Sequence, residues 1–329
     1  MKGGVCLAGA AAVGGKKERD GPLGQYLDIT EDDARFAQET FEDGESEMQR
    51  LAVNTALAKC GMHHRELELI LAGDLLDQCV GSAFGAAGLG APFIGLYGAC
   101  STMAEALLIG ALAIESGHFS KVCAATSSHF CAAERQFRFP LEYGSQRPPT
   151  AQWTVTGAGA FILTDVWHKN CPRIAGVMPG RIVDKGIKDA ANMGAAMAPA
   201  AADTLLRFFR QTGADPASFD AVVTGDLGAE GHRITRELLL SEGVDLGNGF
   251  ADCGLLIYDL EKQDVHAGGS GCGCSAAVSA GYFMKKFESN EYKNILLVGT
   301  GALMNPGSAM QGKSIPGVAH LVHIIKEGS

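Results

Sequence analysis

The chain has 329 residues, of which 47% are hydrophobic and 19% charged, and this composition excludes an intrinsically disordered protein. Its formal net charge of -10 at pH 7 argues against general nucleic-acid binding, because displacing counterions from phosphates requires a basic surface. The ten cysteines lack the spacing of metal ligands, so we expect reduced thiols, no disulfides, no metal and no cofactor.

The chain begins with a short apolar run at residues 5–13 (VCLAGAAAV), preceded by a single lysine, Lys2. Such a run resembles a weak signal peptide, but it is short and its basic region holds one charge, so we interpret it as a buried first strand. No stretch of 18 or more apolar residues follows, and we expect no membrane span. The acidic residues 28–50 predict an exposed loop that leads into a helix.

Two parts of the chain then follow the same plan. An apolar strand ends in Gly-Asp-Leu at Asp74 and again at Asp226. In each part a loop of small residues precedes a helix, an apolar strand follows the helix, and a further apolar strand ends the part. The first set of segments is 69–76, 97–102, 103–115, 121–126 and 160–164, and the second is 221–228, 267–275, 276–287, 294–300 and 319–325.

The repeated order predicts a duplicated β–α–β architecture with halves at 1–167 and 168–329, joined at a seam near residues 165–172. Apolar strands alternating with helices imply mostly parallel sheets covered on both faces. The helix at 103–115 is apolar nearly all round, which predicts burial between two sheets. We therefore expect an α/β fold, a five-layer α-β-α-β-α sandwich.

Cys100 lies at the predicted strand-to-helix turn Gly-Ala-Cys-Ser-Thr. A thiol at a helix N-terminus meets free N–H groups and the positive end of the helix dipole, which lower its pKa and favour a nucleophile. The alternative is a small cysteine that packs at a tight turn. In either case the same helix N-terminus accommodates an anion.

The turn around Cys100, the duplicated halves and the Gly-rich loop before the last helix resemble the thiolase superfamily. That resemblance implies a His after the second strand of the second half, a further His or Asn in the Gly-rich loop, and in thiolases a second Cys near the last Gly-rich strand end. This chain has Asp226 at the first position and no Cys at residues 299–302. The loop does offer His266, as a general base or as an ordinary strand-end histidine. Without a base Cys100 is a poor acyl acceptor, so we expect absent or weak Claisen chemistry.

Longer strings resemble the stage V sporulation protein AD family. They lie at residues 20–24, 71–76, 98–102, 124–129, 134–138, 197–204, 252–255 and 267–272. The resemblance implies a non-catalytic protein that binds dipicolinic acid (pyridine-2,6-dicarboxylate) during its uptake into the developing spore, with a role in germination left open. It also implies membrane proteins of the same operon as partners and a peripheral position on the cytoplasmic side of the spore inner membrane.

A pocket for dipicolinate requires hydrogen-bond donors, cations and an apolar slot for the ring. The predicted ligand-binding residues are Cys100, Ser101, Ser127, Ser128, His129, Asp226, Gly269 and Ser270. Arg135, Arg138 and Arg147 are the candidate cations, and surface ion pairs or a homodimer interface are the alternatives for them. The sequence does not distinguish free dipicolinate from its calcium chelate.

Two other functions stay open at this point. One is an acyltransferase of the ketoacyl-synthase type that uses Cys100 with His266. The other is a scaffold subunit that acts through the Pro/Gly/Arg/aromatic loop at residues 137–153, because loops of this length in compact domains are usually functional. An acyl adduct on Cys100 would support the first, and partner binding without any small-acid binding would support the second.

Overall fold

The computed structural model describes residues 4–137, 146–167 and 170–327. The elements of the first part are β1 (Val5–Gly15), α1 (Lys16–Arg19), β2 (Ile29–Glu31), α2 (Phe41–Lys59), β3 (Leu69–Gly73), α3 (Val80–Ala87), β4 (Phe93–Gly95), α4 (Thr102–Glu115), β5 (Lys121–Ser128), α5 (Phe130–Phe137), β6 (Trp153–Thr154) and β7 (Gly157–Thr164).

The remaining elements are β8 (Arg173–Met178), α6 (Met193–Thr212), β9 (Ala221–Thr224), α7 (Gly228–Ser241), β10 (Phe250–Asp252), α8 (Cys253–Leu256), β11 (Gly269–Ser270), α9 (Cys272–Val278), α10 (Met284–Glu288), β12 (Asn294–Ala302), α11 (Pro306–Met310) and β13 (Gly317–Ile325). A π-helical turn, Ser279–Phe283, joins α9 to α10. None of the helices in the described ranges is both long and apolar enough to cross a bilayer.

The main sheet has the strand order β4-β3-β5-β7-β1-β8-β13-β12-β9-β10, with β2 alongside β1. Its two five-stranded sections meet where Val5 and Cys6 pair with Ile174 and Arg173, so the two expected sheets are joined at their edges. In each section four of the five strands run in the same direction, as the expectation of mostly parallel sheets requires. The exceptions are β7 and β13, which run antiparallel to both of their neighbours.

Helices form the other layers. Helix α4 packs against β3 and β5 on one side and β12 and β13 on the other, and α9 lies beside it against β5 and β7. Helices α2 and α3 cover the outer face of the first section, and α6 and α7 cover that of the second. Met103, Leu107 and Ala111 of α4 are fully buried in the central core. The predicted five-layer sandwich and the buried middle helix are confirmed.

Two glycines of β12 let the start of α4 approach the second section closely. A Cβ atom at Gly299 would lie 2.6 Å from the Cβ of Ala104, and one at Gly301 would lie 2.6 Å from the carbonyl oxygen of Gly98. Neither distance is compatible with a larger side chain. The glycine-rich end of β12 therefore brings the turn that carries Cys100 against residues of the second half.

Candidate functional site

The turn before α4 holds Cys100 at the middle of the molecule. Ala99 has a φ of 51°, a left-handed conformation that is uncommon for a residue with a side chain and is often retained at functional sites. The hydroxyl of Ser101 donates to the carbonyl oxygen of Gly98 at 2.6 Å, and that of Thr102 donates to Ala99 at 2.6 Å. These hydroxyls secure the turn itself, and neither caps the helix.

Asp226 follows β9 at its carboxyl end and is completely buried. Its carboxyl group accepts hydrogen bonds from the Ser270 hydroxyl at 3.0 Å, the Gly271 backbone N–H at 2.9 Å and the Thr300 hydroxyl at 2.8 Å. The Cys100 sulfur lies 3.9 Å from the Ser270 hydroxyl oxygen, and that hydroxyl in turn donates to Asp226. Every one of the partners of the carboxyl group donates, so the arrangement suits an ionised carboxylate.

The electrostatics keep the Cys100 thiol protonated. Burial raises its pKa well above the ordinary value of 9.0, and the charge of Asp226 raises it further. Burial also raises the pKa of Asp226, while its hydrogen-bond donors oppose that shift. The expectation that the helix N-terminus lowers the thiol pKa is wrong, because burial and a neighbouring carboxylate outweigh the helix dipole.

A cavity of about 540 Å³ opens beside Cys100, a volume within the range of small-molecule sites. Cys100 and Ser270 line it, and its walls are largely apolar, contributed by Leu75, Tyr97, Ala133, Pro148, Ala151, Ala191, Met193, Leu303 and Met304. Glu134, Gln152, Thr154 and Asn305 add polar groups. No Lys, Arg or His is among the described lining residues.

The structure brings four of the predicted ligand-binding residues together. Cys100 and Ser270 line the cavity, their side chains lie 3.9 Å apart, and Asp226 accepts a hydrogen bond from Ser270. Gly269 contributes its carbonyl oxygen, which accepts a hydrogen bond from the Gln152 side-chain amide at 2.7 Å. Ser101 lies at the same turn, but its side chain is fully buried and does not line the cavity.

Ser127, Ser128 and His129 lie elsewhere. Strand β5 extends to Ser128, two residues beyond its predicted end, so both serines are within the buried strand. Ser127 donates to Glu45 at 3.0 Å, and Ser128 donates to the Val155 carbonyl oxygen at 2.7 Å. The ring of His129 bonds a backbone carbonyl oxygen at 2.6 Å. None of the three lines the cavity, because the packed layers already satisfy their polar atoms.

The candidate cations are also paired away from the cavity lining. Arg135 forms an exposed ion pair with Glu42. Arg147 pairs with Asp264 at 2.6 Å, and its guanidinium carbon lies 4.8 Å from the ring centre of Trp153. Arg138 lies outside the described residues.

His266 does not join Cys100. One of its ring nitrogens lies 2.8 Å from the Pro148 carbonyl oxygen and the other 3.2 Å from the Asp264 carboxylate. Its backbone φ is 53°, and the residue ends the segment before the Gly-rich loop. Within the described ranges, no group of three or more His, Cys, Asp or Glu side chains is arranged to hold a metal ion.

Gln152 is a buried polar residue of the cavity lining that the sequence did not indicate. Its side-chain nitrogen donates to the carbonyl oxygens of Asp226 and Gly269, both at 2.7 Å, and its side chain lines the cavity. It is the last residue of an irregular segment, and a segment without hydrophobic periodicity gives no indication of which side chains are buried. The only available signal was its position in the 137–153 loop, which was predicted to be functional as a whole.

Two buried acidic residues, Glu45 and Asp74, interact in the first half. Glu45 of α2 is completely buried, and burial, followed by the charge of Asp74, raises its pKa well above 4.5. Asp74 accepts two hydrogen bonds of 2.7 Å from the backbone and hydroxyl of Ser82, and burial raises its pKa as well. The folded protein therefore holds a proton on Glu45 that the unfolded chain releases above about pH 4.5.

This proton makes folding pH-dependent. The Glu45 contribution to stability is complete below the unfolded pKa and is lost as pH rises toward the raised folded pKa, at about 1.4 kcal/mol for each pH unit between the two pKa values. We expect Glu45→Gln to match the wild type near pH 4 and to exceed its free energy of unfolding by at least about 1 kcal/mol at pH 8. Urea denaturation across this range measures the difference. The exposed Glu39→Gln is the control, and parallel curves for Glu45→Gln and the wild type would contradict the assignment.

The chain as a whole is similar to proteins of one known family. The family model for stage V sporulation protein AD matches residues 1–325. This chain belongs to the stage V sporulation protein AD family. The stage V sporulation protein AD of Bacillus subtilis (strain 168) is 41% identical over 324 residues, which cover 98% of this chain and 94% of that protein.

Solved structures resemble the chain in fold. The 3-oxoacyl-[acyl-carrier-protein] synthase III of Aquifex aeolicus VF5 superposes with a TM-score of 0.59 at 15% identity, covering 98% of this chain and all of that one. OleA of Xanthomonas campestris superposes with a TM-score of 0.61 at 14% identity, covering 98% and 96%. At these identities the similarity establishes a thiolase-like fold for this member of the stage V sporulation protein AD family.

Proposed function

We propose that this protein binds dipicolinic acid without catalysing a reaction and acts in the uptake of that acid into the developing spore. The observation that carries the absence of catalysis is the buried Asp226 carboxylate, which accepts a hydrogen bond from Ser270 beside Cys100 and raises the pKa of the Cys100 thiol. The ligand itself is inferred from membership in the stage V sporulation protein AD family and from the dipicolinate binding that the sequence resemblance implies.

A nucleophilic cysteine acts as a thiolate, usually with a base nearby. In this chain burial and Asp226 raise the pKa of Cys100, and His266 bonds Pro148 and Asp264. An acyltransferase would require Cys100 to lose its proton beside a buried negative charge. The binding function requires no such step, and we therefore prefer it.

The cavity offers features that suit a flat acid. Apolar side chains form most of its wall, which supplies a slot for an aromatic ring. The side-chain oxygen of Asn305 accepts from the Gly307 backbone N–H at 2.8 Å, which turns the amide N–H₂ group away from that contact. The Asn305 amide is a donor that a ligand carboxylate could use, whereas the Tyr97 hydroxyl already donates to the Leu75 carbonyl oxygen at 3.3 Å.

The proposal includes a cellular setting. We place the protein at the cytoplasmic side of the spore inner membrane as a peripheral partner of membrane proteins from the same operon. We also propose a homodimer, because β4 is an edge strand whose residues are all exposed, with Ile94 50% exposed and the nearby Phe84 68% exposed.

Calorimetric titration with dipicolinate, with and without calcium, tests the function. We expect saturable binding at one site per chain and a several-fold weaker affinity for Cys100→Ala, because Cys100 lines the cavity. Cys60→Ala, at the end of α2, is the matched control and is expected to bind as the wild type does. Absence of binding to the wild type in both buffers would refute the proposal, and labelling of Cys100 by acyl-CoA would then support the acyltransferase.

A further inference from the structure

Two neighbouring segments of the second half lie at the edge of the cavity. Residues 179–191 lie between β8 and α6, and residues 303–316, which include α11, lie between β12 and β13. The Ile315 backbone N–H donates to the Ile187 carbonyl oxygen at 2.7 Å and joins the two segments. Both segments contribute residues to the lining of the cavity. We call these two segments the basic rim, because basic residues predominate among their charged residues.

The basic rim has a charge opposite to that of the chain. It holds four basic and two acidic residues, a net charge of +2, whereas the whole chain carries -10. The exposed Lys262 and Lys285, outside the rim, pair with carboxylates at 3.0 and 2.7 Å. By contrast, no described carboxylate forms an ion pair with Lys185, Lys188 or Lys313 of the rim. The rim therefore offers three exposed ammonium groups to a partner outside the chain.

The two acidic residues of the rim are directed at donors of the rim itself. Asp184 accepts from a serine hydroxyl of the other segment at 2.6 Å, and Asp189 accepts from the Ala191 backbone N–H at 2.9 Å. Arg181, the fourth cation, lies 3.4 Å from the Asp203 carboxylate of α6. The lysines are thus the charges of the rim that have no partner within the described residues.

Exposed apolar side chains accompany these lysines. Ile182 is 67% exposed and Met310 is 79% exposed, and they lie one on each segment of the rim. Apolar side chains beside lysines are typical of a surface that enters the headgroup region of a bilayer. There the apolar side chains leave water while the ammonium groups meet lipid phosphates. A bilayer with anionic headgroups therefore suits both features of the rim.

We propose that the basic rim docks directly on the surface of a bilayer that contains anionic lipids. A protein with a net charge of -10 is repelled by such a surface unless a locally basic face is turned toward it, which fixes the orientation. Ala191 and Asn305 of the rim line the cavity, so docking places the edge of the cavity beside the membrane. The use of this orientation for ligand transfer rests on the proposed function, which reaches the membrane through protein partners alone.

Flotation of the purified protein with lipid vesicles tests the inference. We expect the wild type to bind phosphatidylcholine vesicles with about 30% phosphatidylglycerol at least about tenfold more tightly than pure phosphatidylcholine vesicles, and to be released by about 0.5 M salt. Lys185→Gln combined with Lys188→Gln is expected to weaken binding about 25-fold, since each lysine near an anionic surface contributes about fivefold. Ile182→Ser is expected to weaken binding several-fold, because the side chain no longer gains by leaving water.

Matched variants outside the rim separate a local effect from a change in net charge. Lys262→Gln combined with Lys285→Gln removes the same number of positive charges, and Leu240→Ser removes an exposed apolar side chain from α7. These controls are expected to bind anionic vesicles as the wild type does. Thermal melts at the wild-type temperature establish that the rim variants are folded.

An equal loss of binding in the control pair of lysines, or equal binding to vesicles of both compositions, would overturn the inference. Binding to soluble polyglutamate without binding to vesicles would also overturn it and would assign the rim to an acidic protein segment. Calorimetric titration of the wild type with dipicolinate keeps the two proposals apart. Dipicolinate binding without vesicle binding overturns this inference alone, and vesicle binding without dipicolinate binding overturns the proposed function alone.

Discussion

Replacing Asp226 with asparagine is expected to make the Cys100 thiol at least about tenfold more reactive toward iodoacetamide at pH 8. The reagent reacts with the thiolate, and lowering the thiol pKa by one raises the thiolate fraction about tenfold while the thiol is mostly protonated. Asparagine removes the negative charge that raises the pKa of Cys100 and keeps a similar shape. Peptide mass spectrometry follows Cys100 separately from the other nine cysteines.

The control for this experiment is Asp245→Asn, which alters an exposed aspartate in a loop of the second half. It is expected to leave Cys100 as slow as in the wild type. Asp226→Asn disturbs a buried network, so circular dichroism and a thermal melt must show that the variant is folded; a loss of about 1–3 kcal/mol is expected from the disturbed hydrogen bonds. A folded variant in which Cys100 stays unreactive would show that Asp226 does not suppress the thiolate.

Blocking the cavity is expected to have the largest effect on binding. Ala191 lies in the turn before α6, is partly exposed and lines the cavity. In Ala191→Trp the indole group would occupy space that the ligand needs, and we expect dipicolinate affinity to fall at least about 100-fold, which corresponds to about 2.7 kcal/mol. The turn position should tolerate the larger side chain, because no helix or strand has to move.

Ala217→Trp provides the comparison, since Ala217 is exposed in a short helical turn remote from the cavity lining. It should bind dipicolinate as the wild type does and melt at a similar temperature. Unchanged binding by Ala191→Trp would place the ligand outside this cavity and would remove the reason for treating Cys100 as part of the binding site.

The sequence was sufficient to assemble the centre of the site. Cys100 could be located because small residues precede an apolar helix, and Asp226 because it follows an apolar strand in a repeated Gly-Asp-Leu pattern. The Gly-rich loop then brought Ser270 to the same edge. These residues lie together because the carboxyl ends of parallel strands and adjoining helix starts converge on one place, and their role in ligand binding stays a prediction.

Other parts could not be predicted, for identifiable reasons. Ser127 and Ser128 are buried because β5 continues as far as Ser128. The end of that strand is set by its pairing with β7, which the sequence does not reveal. The antiparallel direction of β7 and β13 depended on connections that carry no periodic signal. Gln152 lies in irregular backbone, so the sequence does not indicate the two carbonyl oxygens to which its side-chain nitrogen donates.

The proposed function assigns a different purpose to a fold that is also found in a 3-oxoacyl synthase, and Asp226 is central to that proposal. The solved structures that resemble this chain include a 3-oxoacyl synthase, at 15% identity. Under the proposed function, Asp226 keeps the pKa of the Cys100 thiol high, and the cavity beside Cys100 serves a ligand that is bound and released unchanged. On this account the N-terminus of α4 serves ligand binding and not catalysis.

The most direct test is a crystal structure of the protein grown with dipicolinate. The account predicts the pyridine ring between the apolar walls of the cavity, a polar contact to Asn305, and an unmodified sulfur on Cys100. Density for the ligand at another surface, or a covalent acyl group on the Cys100 sulfur, would contradict it.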